Sequence, residues 1–274
     1  MKLCEICQKP DVTLLKTAAK FNLMKCGSCG FIYKDTLEYN YEGLSEDDYI
    51  MYNFNRRNEA LELNKIIEKF AAKESPRILE IGSGTGSLLK ELSSLGYNVT
   101  GVEPSKAAVN ISGESFPDIR VINDYFSASL IKEESDVILL NDVIEHLSPA
   151  NRLFQEIADY MKPETILIVK SGNPHSLNAK LFLEKWVYVL GEQHISFYSP
   201  RALEAFCKKW DLKLIKYYKF RHAYGGINLS KLLVNLKRAV FIRTGIGSLL
   251  GRDYSIELAN DHFIAVIKKM PDRI

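Results

Sequence analysis

No stretch of the 274 residues stays apolar for the roughly 18 residues that a membrane-spanning helix needs. The opening residues, MKLCEICQKP, lack the apolar core of a secretory signal, so the expected location is the cytoplasm. An excess of one charge is missing too. The 36 basic residues nearly balance 34 acidic ones, and a net charge of +2 gives no electrostatic footprint for nucleic acid. Cysteine is scarce, but its placement is informative. Of five cysteines, four lie in the first 29 residues as two CxxC pairs, and Cys207 stands alone. A reducing compartment disfavours disulfides, so the pairs need another explanation.

Each CxxC turn directs two thiolates inward, and two such knuckles complete a tetrahedral zinc site. Cys4, Cys7, Cys26 and Cys29 are therefore the expected ligands, with an iron–sulfur cluster as the alternative. Four protein ligands leave no open position, which makes the zinc structural. The residues between the pairs favour two short ribbon strands, giving a zinc ribbon over residues 1–34. Cys207 shares an amphipathic face with Leu203 and Phe206 and reads as core.

Residues 35–58 are rich in tyrosine (Tyr39, Tyr41, Tyr49, Tyr52) and read as a connector, either a lid or a solvated linker. Beyond them, over 59–274, helical and strand patterns alternate. Ala60, Leu63, Ile67 and Phe70 line one helix face, ending before Pro76. Short apolar runs then recur at RILEIG, YNVTGVEP, IRVIND, DVILLND and TILIVKSGN, separated by helix-length segments. That order predicts right-handed crossovers and a Rossmann-like, doubly wound α/β sheet of about seven mostly parallel strands. A loop is expected over 172–199, then the helix PRALEAFCKKW, the strand LKLIKYYKF, an insertion over 221–260 and the closing strand HFIAVIKK.

Between the first strand and its helix lies LEIGSGTGSLL, beginning at Leu79. Glycines there let the backbone turn sharply and approach a ligand, because no Cβ intervenes. Glu80 precedes them, where a carboxylate can hold an amino group. Glu103 ends the second strand, where an acid can accept both hydroxyls of an adenosine ribose, and Asn123-Asp124 ends the third.

The ordered set LEIGSGTGSLL, VTGVEPS, VIND and DVILLNDVIEHL resembles class I S-adenosylmethionine (SAM)-dependent methyltransferases, over roughly Ile66 to Phe220. The resemblance implies that Gly82, Gly84 and Gly86 line the methionine and ribose, that Glu103 takes the ribose, and that Asp124 takes the adenine. Ser83, Pro104, Asn123 and Asn141 belong to the same expected cofactor pocket. A nicotinamide dehydrogenase fits less well: the third glycine falls one residue early, and no catalytic Tyr-x-x-x-Lys pair is evident. The chain has neither the Asn-Pro-Pro-Tyr of amino-methyltransferases of nucleic acids nor a Pro-Cys nucleophile, which disfavours nucleobase acceptors.

Two histidines compete as general base, since a pKa near 6.5 suits proton abstraction at neutral pH. His146 lies in Ile144-Glu145-His146-Leu147. His194 lies in Gln193-His194-Ile195-Ser196-Phe197-Tyr198-Ser199, which is similar to the His-Glu-His-x-x-Tyr-Tyr-Ser segment of zinc-containing sugar C-methyltransferases. Gln193 replaces that family's Glu, and that family's further C-terminal domain is not expected here. Tyr198 completes the catalytic candidates. The expected reaction is methyl transfer to oxygen or carbon of a small acceptor, a nucleotide-linked or polysaccharide sugar. The alternatives are an RNA-modifying enzyme and a SAM-binding module without turnover. Finally, Leu229, Leu232, Leu233, Leu236 and Val240 follow helical spacing among basic residues. Residues 228–250 therefore read either as a membrane-surface helix or as a cover over the cleft or a dimer partner.

Overall fold

The structure is a computed structural model that describes residues 2–18, 20–35, 56–147, 150–183, 186–191, 193–220 and 261–270. The Tyr-rich connector (all but its two ends), Glu192 and the 221–260 insertion, with its proposed membrane-surface helix, lie outside the described residues.

Seven strands form one sheet: β4 (Arg77–Ile81), β5 (Asn98–Val102), β6 (Arg120–Ile122), β7 (Val137–Asn141), β8 (Ile166–Gly172), β10 (Leu212–Phe220) and β11 (His262–Lys269). Their spatial order is β10-β11-β8-β7-β4-β5-β6. Only β11 runs against its neighbours, pairing antiparallel with both β8 and β10. The central strands β7 and β8 are buried throughout, as parallel strands covered on both faces must be. The edges are blunted differently. β6 has three residues, and β10 carries Lys213, Lys216 and Lys219.

One sheet face packs on α1 (Arg57–Phe70) and α2 (Ser87–Ser94) through Ala60, Leu63, Ile67, Leu88 and Leu92. The other packs on α4 (Asn151–Tyr160) and α7 (Pro200–Cys207) through Phe154, Ile157, Leu203 and Phe206. Cys207 joins this second core, as its helix face suggests. α3 (Lys106–Ser115) and α7 start where Ser105 and Ser199 accept backbone N–H bonds from Ala108 and Ala202, and Pro200 opens α7.

The cysteine module is a small antiparallel sheet of β1 (Val12–Thr17), β2 (Asn22–Cys26) and β3 (Ile32–Lys34). It has no core of its own: Cys4, Ile6, Phe31 and Tyr33 belong to the same apolar cluster as Leu203 and Phe206. The segment expected to be a plain loop over 172–199 is built differently. It holds α5 (Leu177–Phe182), α6 (Val187–Leu190) and a two-residue strand, β9 (Ser196–Phe197), which adds a fourth strand to the ribbon sheet beside β3. Trp186, Tyr188 and Val189 from this segment bury against Leu23 and Ile32 of the ribbon, and that burial is what gives the loop its structure.

Candidate active site

Strand order reverses between β4 and β7, and the loops leaving their C-terminal ends form the crevice where open α/β sheets bind ligands. Gly82, Gly84 and Gly86 all adopt positive φ there. At Gly82 the requirement is double: φ is 74°, and a Cβ would lie 2.6 Å from Val143. At Gly84 a Cβ would meet nothing within 4 Å, so the turn presents bare backbone to open space.

Glu103 closes this turn from β5. Its carboxylate accepts the Gly84 N–H at 2.9 Å and the Ser105 N–H at 2.9 Å, and burial pushes its pKa up. The Asn123 side-chain amide donates to the carbonyls of Glu103 and Pro104, locking β6 to β5 at the rim, while Asp124 lies exposed beside it. Buried around the turn are Glu80 Oε2, Ser83 Oγ and Asn141 Oδ1, none with a hydrogen-bond partner among the described residues. Unpartnered buried polar atoms are costly, and the acceptor oxygens of Glu80 and Asn141 on one sheet face suit a ligand bearing an ammonium group. Glu80 is pushed up to about 8, first by burial, against the pull of Arg56.

Glu80, Asn141 and Lys170 project to one face of the sheet, as the pairing Asn141↔Lys170 and the alternation along β4 and β7 require. The Lys170 ammonium is 1% exposed, 2.6 Å from Glu59 and 2.8 Å from Asp142. Burial disfavours its charge, but Asp142 and Glu59 together raise its pKa. Arg56 binds Glu59 at 2.7 Å and comes within 3.9 Å of Asp142. Asp142 is held at φ 55°, a conformation that a non-glycine residue keeps only under constraint, and the Tyr188 hydroxyl donates to its other oxygen at 3.0 Å.

The two histidines meet beside Tyr188: their ring centres are 4.8 Å apart, and the Tyr188 ring stacks on His194 at 4.7 Å. His146 Nδ1 lies 3.0 Å from the Gln193 carbonyl, and His194 Nδ1 lies 3.0 Å from the Tyr188 carbonyl. A carbonyl only accepts, so both Nδ1 atoms carry a proton and neutral His194 keeps a lone pair on Nε2, while His146 also hydrogen-bonds the Asp142 backbone. Burial lowers the pKa of each ring. His194 is held down to about 3 by burial and then by the neighbouring His146. Glu145, fully buried, accepts the Ser171 hydroxyl at 2.8 Å and is pushed up to about 8, by burial first and by Asp142 second.

The profile of the family described as a methyltransferase domain matches residues 54–217. The chain belongs to the methyltransferase domain family. Over 86 residues it is 33% identical to an uncharacterized methyltransferase of Alkaliphilus oremlandii, a match covering 31% of this chain and 40% of that protein. Over 171 residues it is 23% identical to a ubiquinone biosynthesis O-methyltransferase of Bartonella tribocorum, covering 58% of this chain and 69% of the relative. The crystal structure of a SAM-dependent methyltransferase from Archaeoglobus fulgidus shares the fold, with a TM-score of 0.53 at 20% identity, covering 81% of this chain and 99% of that one. That neighbour is SAM-dependent by its name, and its fold is the one this methyltransferase shares.

Two groups among the methyltransferase's described residues can hold a metal ion. The first is the four cysteines. Cys4 Sγ and Cys29 Sγ are 3.7 Å apart, and Cys7 Sγ and Cys26 Sγ are 3.6 Å apart. A zinc tetrahedron with 2.3 Å bonds has sulfur–sulfur edges of roughly 3.8 Å, so the set fits zinc. The second is Glu145, His146 and His194, whose ligand atoms lie within 4.8 Å of one another.

The expected site residues separate into three places. The glycine turn, Glu80, Glu103, Asn123 and Asn141 come together at the crevice, and His146 and His194 come together beside Tyr188. Tyr198 does not join them. Its ring is wedged between Phe31, at 5.0 Å, and Phe206, at 5.9 Å, inside the core shared with the ribbon. Its expected catalytic role is therefore replaced by a packing one. Sequence reasoning missed Arg56, Glu59, Asp142, Lys170 and Tyr188. Lys170 carried a signal, a lone cation inside the buried run ILIVKSG.

Proposed function

We propose that this methyltransferase transfers the methyl group of SAM to a hydroxyl oxygen of a small acceptor, with His194 as general base and a structural zinc on the four cysteines. The observation that carries the reading is the buried His194 imidazole, whose Nδ1 is tied to the Tyr188 carbonyl and whose ring stacks on Tyr188, the residue whose hydroxyl binds Asp142 at the end of β7. Bound there, SAM supplies an electrophilic methyl group. The chain's own residues do the rest. Glu80 and Asn141 offer oxygen acceptors for the amino end, and Glu103 stands at the rim for the ribose hydroxyls. Arg56, held charged by Glu59 and Asp142 against the cost of burial and near Glu80, would be the cation for the carboxylate end. His194 Nε2 takes the hydroxyl proton as oxygen attacks; burial keeps the resting imidazole neutral, at a cost in basicity.

Support for oxygen over carbon comes from the relatives named as O-methyltransferases. A sugar acceptor, nucleotide-linked or within a polysaccharide, is the first class to test, on the likeness of the segment Gln193 to Ser199 to sugar methyltransferases. The test begins with calorimetric binding of SAM and its demethylated product to wild type and Glu103→Ala. Micromolar binding that collapses in the variant supports the cofactor assignment; equal binding refutes the role of Glu103, and no binding by wild type refutes the cofactor. Transfer of labelled methyl to hydroxylated acceptors should then fall by about 10²–10⁴ in His194→Ala, with SAM affinity kept within about twofold. Undiminished transfer would show that His194 is not the base.

A further inference from the structure

The segment carrying His194 is clamped from two sides. On one side, the Ile195 N–H donates to the Glu145 carbonyl at 2.7 Å, tying the segment to the turn that bears His146. On the other side stands the ribbon. Strand β9 pairs with β3 through Ile32↔Phe197 and Tyr33↔Ser196. The Lys34 N–H donates to the Ile195 carbonyl at 2.9 Å, and the Ser199 hydroxyl donates to the Cys29 carbonyl at 2.9 Å. The Lys34 ammonium, buried and 4.4 Å from the centre of the Phe21 ring, donates to the Gly191 carbonyl at 2.7 Å. That same carbonyl accepts the His194 N–H at 3.1 Å. Lys34 therefore braces the tight turn Gly191–His194, which presents His194 to His146. Space there is limited, since a Cβ on Gly191 would lie 2.7 Å from His194 Nδ1.

We propose that Lys34 is a positioning residue for His194, and that the zinc ribbon acts as a splint setting the geometry of the acceptor site from outside the cofactor domain. A charge-assisted bond from a buried ammonium is stronger than a neutral one and has no water to replace it once lost. The ribbon supplies that ammonium from β3, the strand after the Cys26–Cys29 knuckle, so metal at the knuckles orders the strand that holds the histidine. The inference rests on the reading of His194 as base and of the cysteines as a zinc site, but its test needs neither an acceptor nor turnover.

The experiment compares zinc-loaded wild type with Lys34→Met and Lys34→Arg, following amide hydrogen exchange, the nitrogen resonances of the His194 imidazole, and calorimetric binding of demethylated SAM. In Lys34→Met, amides 193–197 should exchange at least about tenfold faster, and the single Nδ1–H tautomer of His194 should be lost. Zinc content and ligand affinity should stay within about twofold, and Lys34→Arg should restore much of the protection. Treating wild type with a chelator should loosen 193–199 in the same way while 78–103 stays protected. Unchanged exchange and tautomer in Lys34→Met would overturn the proposal. So would loosening that spreads equally through β4 and β7, because that is general destabilisation. A wild type free of zinc would remove the metal from the account yet leave the Lys34 comparison decisive. An active His194→Ala would remove the base assignment without altering these readouts.

Discussion

Replacing Lys170 by methionine should lower stability by about 3–5 kcal/mol at pH 7, the usual cost of leaving a buried charge without its partner. Methionine retains the apolar stem, so the loss is electrostatic. The ammonium lies 2.6 Å from Glu59 and 2.8 Å from Asp142. Its removal leaves two carboxylates beside Arg56 without the buried ammonium between them, near a Glu80 that burial already pushes up to about 8. At roughly 2–4 °C per kcal/mol for a chain of this size, melting should drop by about 6–20 °C. The pH dependence has a definite sign. Without the cation, Glu59 and Asp142 titrate at higher pH in the folded variant than in the folded wild type. The variant therefore gains protons, and relative stability, as pH falls. Urea unfolding at pH 7 and pH 5 should show the gap between variant and wild type narrowing. A loss under about 1 kcal/mol at pH 7, or a gap that widens on acidification, would refute the reasoning. Adding Asp142→Asn to the methionine variant should recover part of the loss by removing one of the repelling charges.

Other perturbations read out other parts of the molecule. Gly82→Ala forces an L side chain to φ 74° and drives its Cβ to 2.6 Å from Val143, so it should cost about 1–3 kcal/mol in unfolding and weaken SAM binding at least about tenfold in calorimetry. Elemental analysis should find about one zinc per chain, and almost none in Cys4→Ser, because three thiolates leave the shell open. A second equivalent surviving that substitution would instead implicate Glu145, His146 and His194. Burial lowers the folded-state pKa of His146 and His194, the latter to about 3, so the unfolded chain binds more protons and stability should drain away as pH falls from about 6.5 toward about 3. Denaturant titrations of His194→Phe across that window should show a shallower decline, and an equal slope would count against the buried neutral imidazole.

Much of this was legible in the chain because the relevant signals are local. The glycine turn, the acids Glu80 and Glu103 and the buried runs of β7 and β8 each follow from residues within a few positions of one another, and the cysteine pairs carry their own spacing rule. The histidine pair was half legible. His146 and His194 were both singled out, but only tertiary structure brings residues 48 positions apart to a ring separation of 4.8 Å. What stayed hidden depends on non-local pairing. Ser196–Phe197 reads as loop because two residues carry no strand periodicity, and its partner β3 lies more than 160 positions earlier. Tyr198 looked chemical because a tyrosine beside a histidine invites that reading, and only the rings of Phe31 and Phe206 around it show otherwise. Lys170 announced itself as an exception to its strand, yet its partners come from α1 and the end of β7, which no spacing rule connects.

The joint between β3 and β9 also has a consequence for how the protein is made. The first knuckles leave the ribosome early and can load metal at once, but the edge of β3 stays uncovered until residue 197 has been synthesised. At roughly 5–20 residues per second, that leaves an open strand for on the order of ten seconds of translation. A nascent chain in that interval presents unpaired backbone at Ile32 and Tyr33 to any neighbouring strand. Expression hosts with slow elongation or crowded polysomes should therefore yield aggregates seeded through the ribbon edge, and co-expressing a peptide spanning residues 193–199 should suppress them.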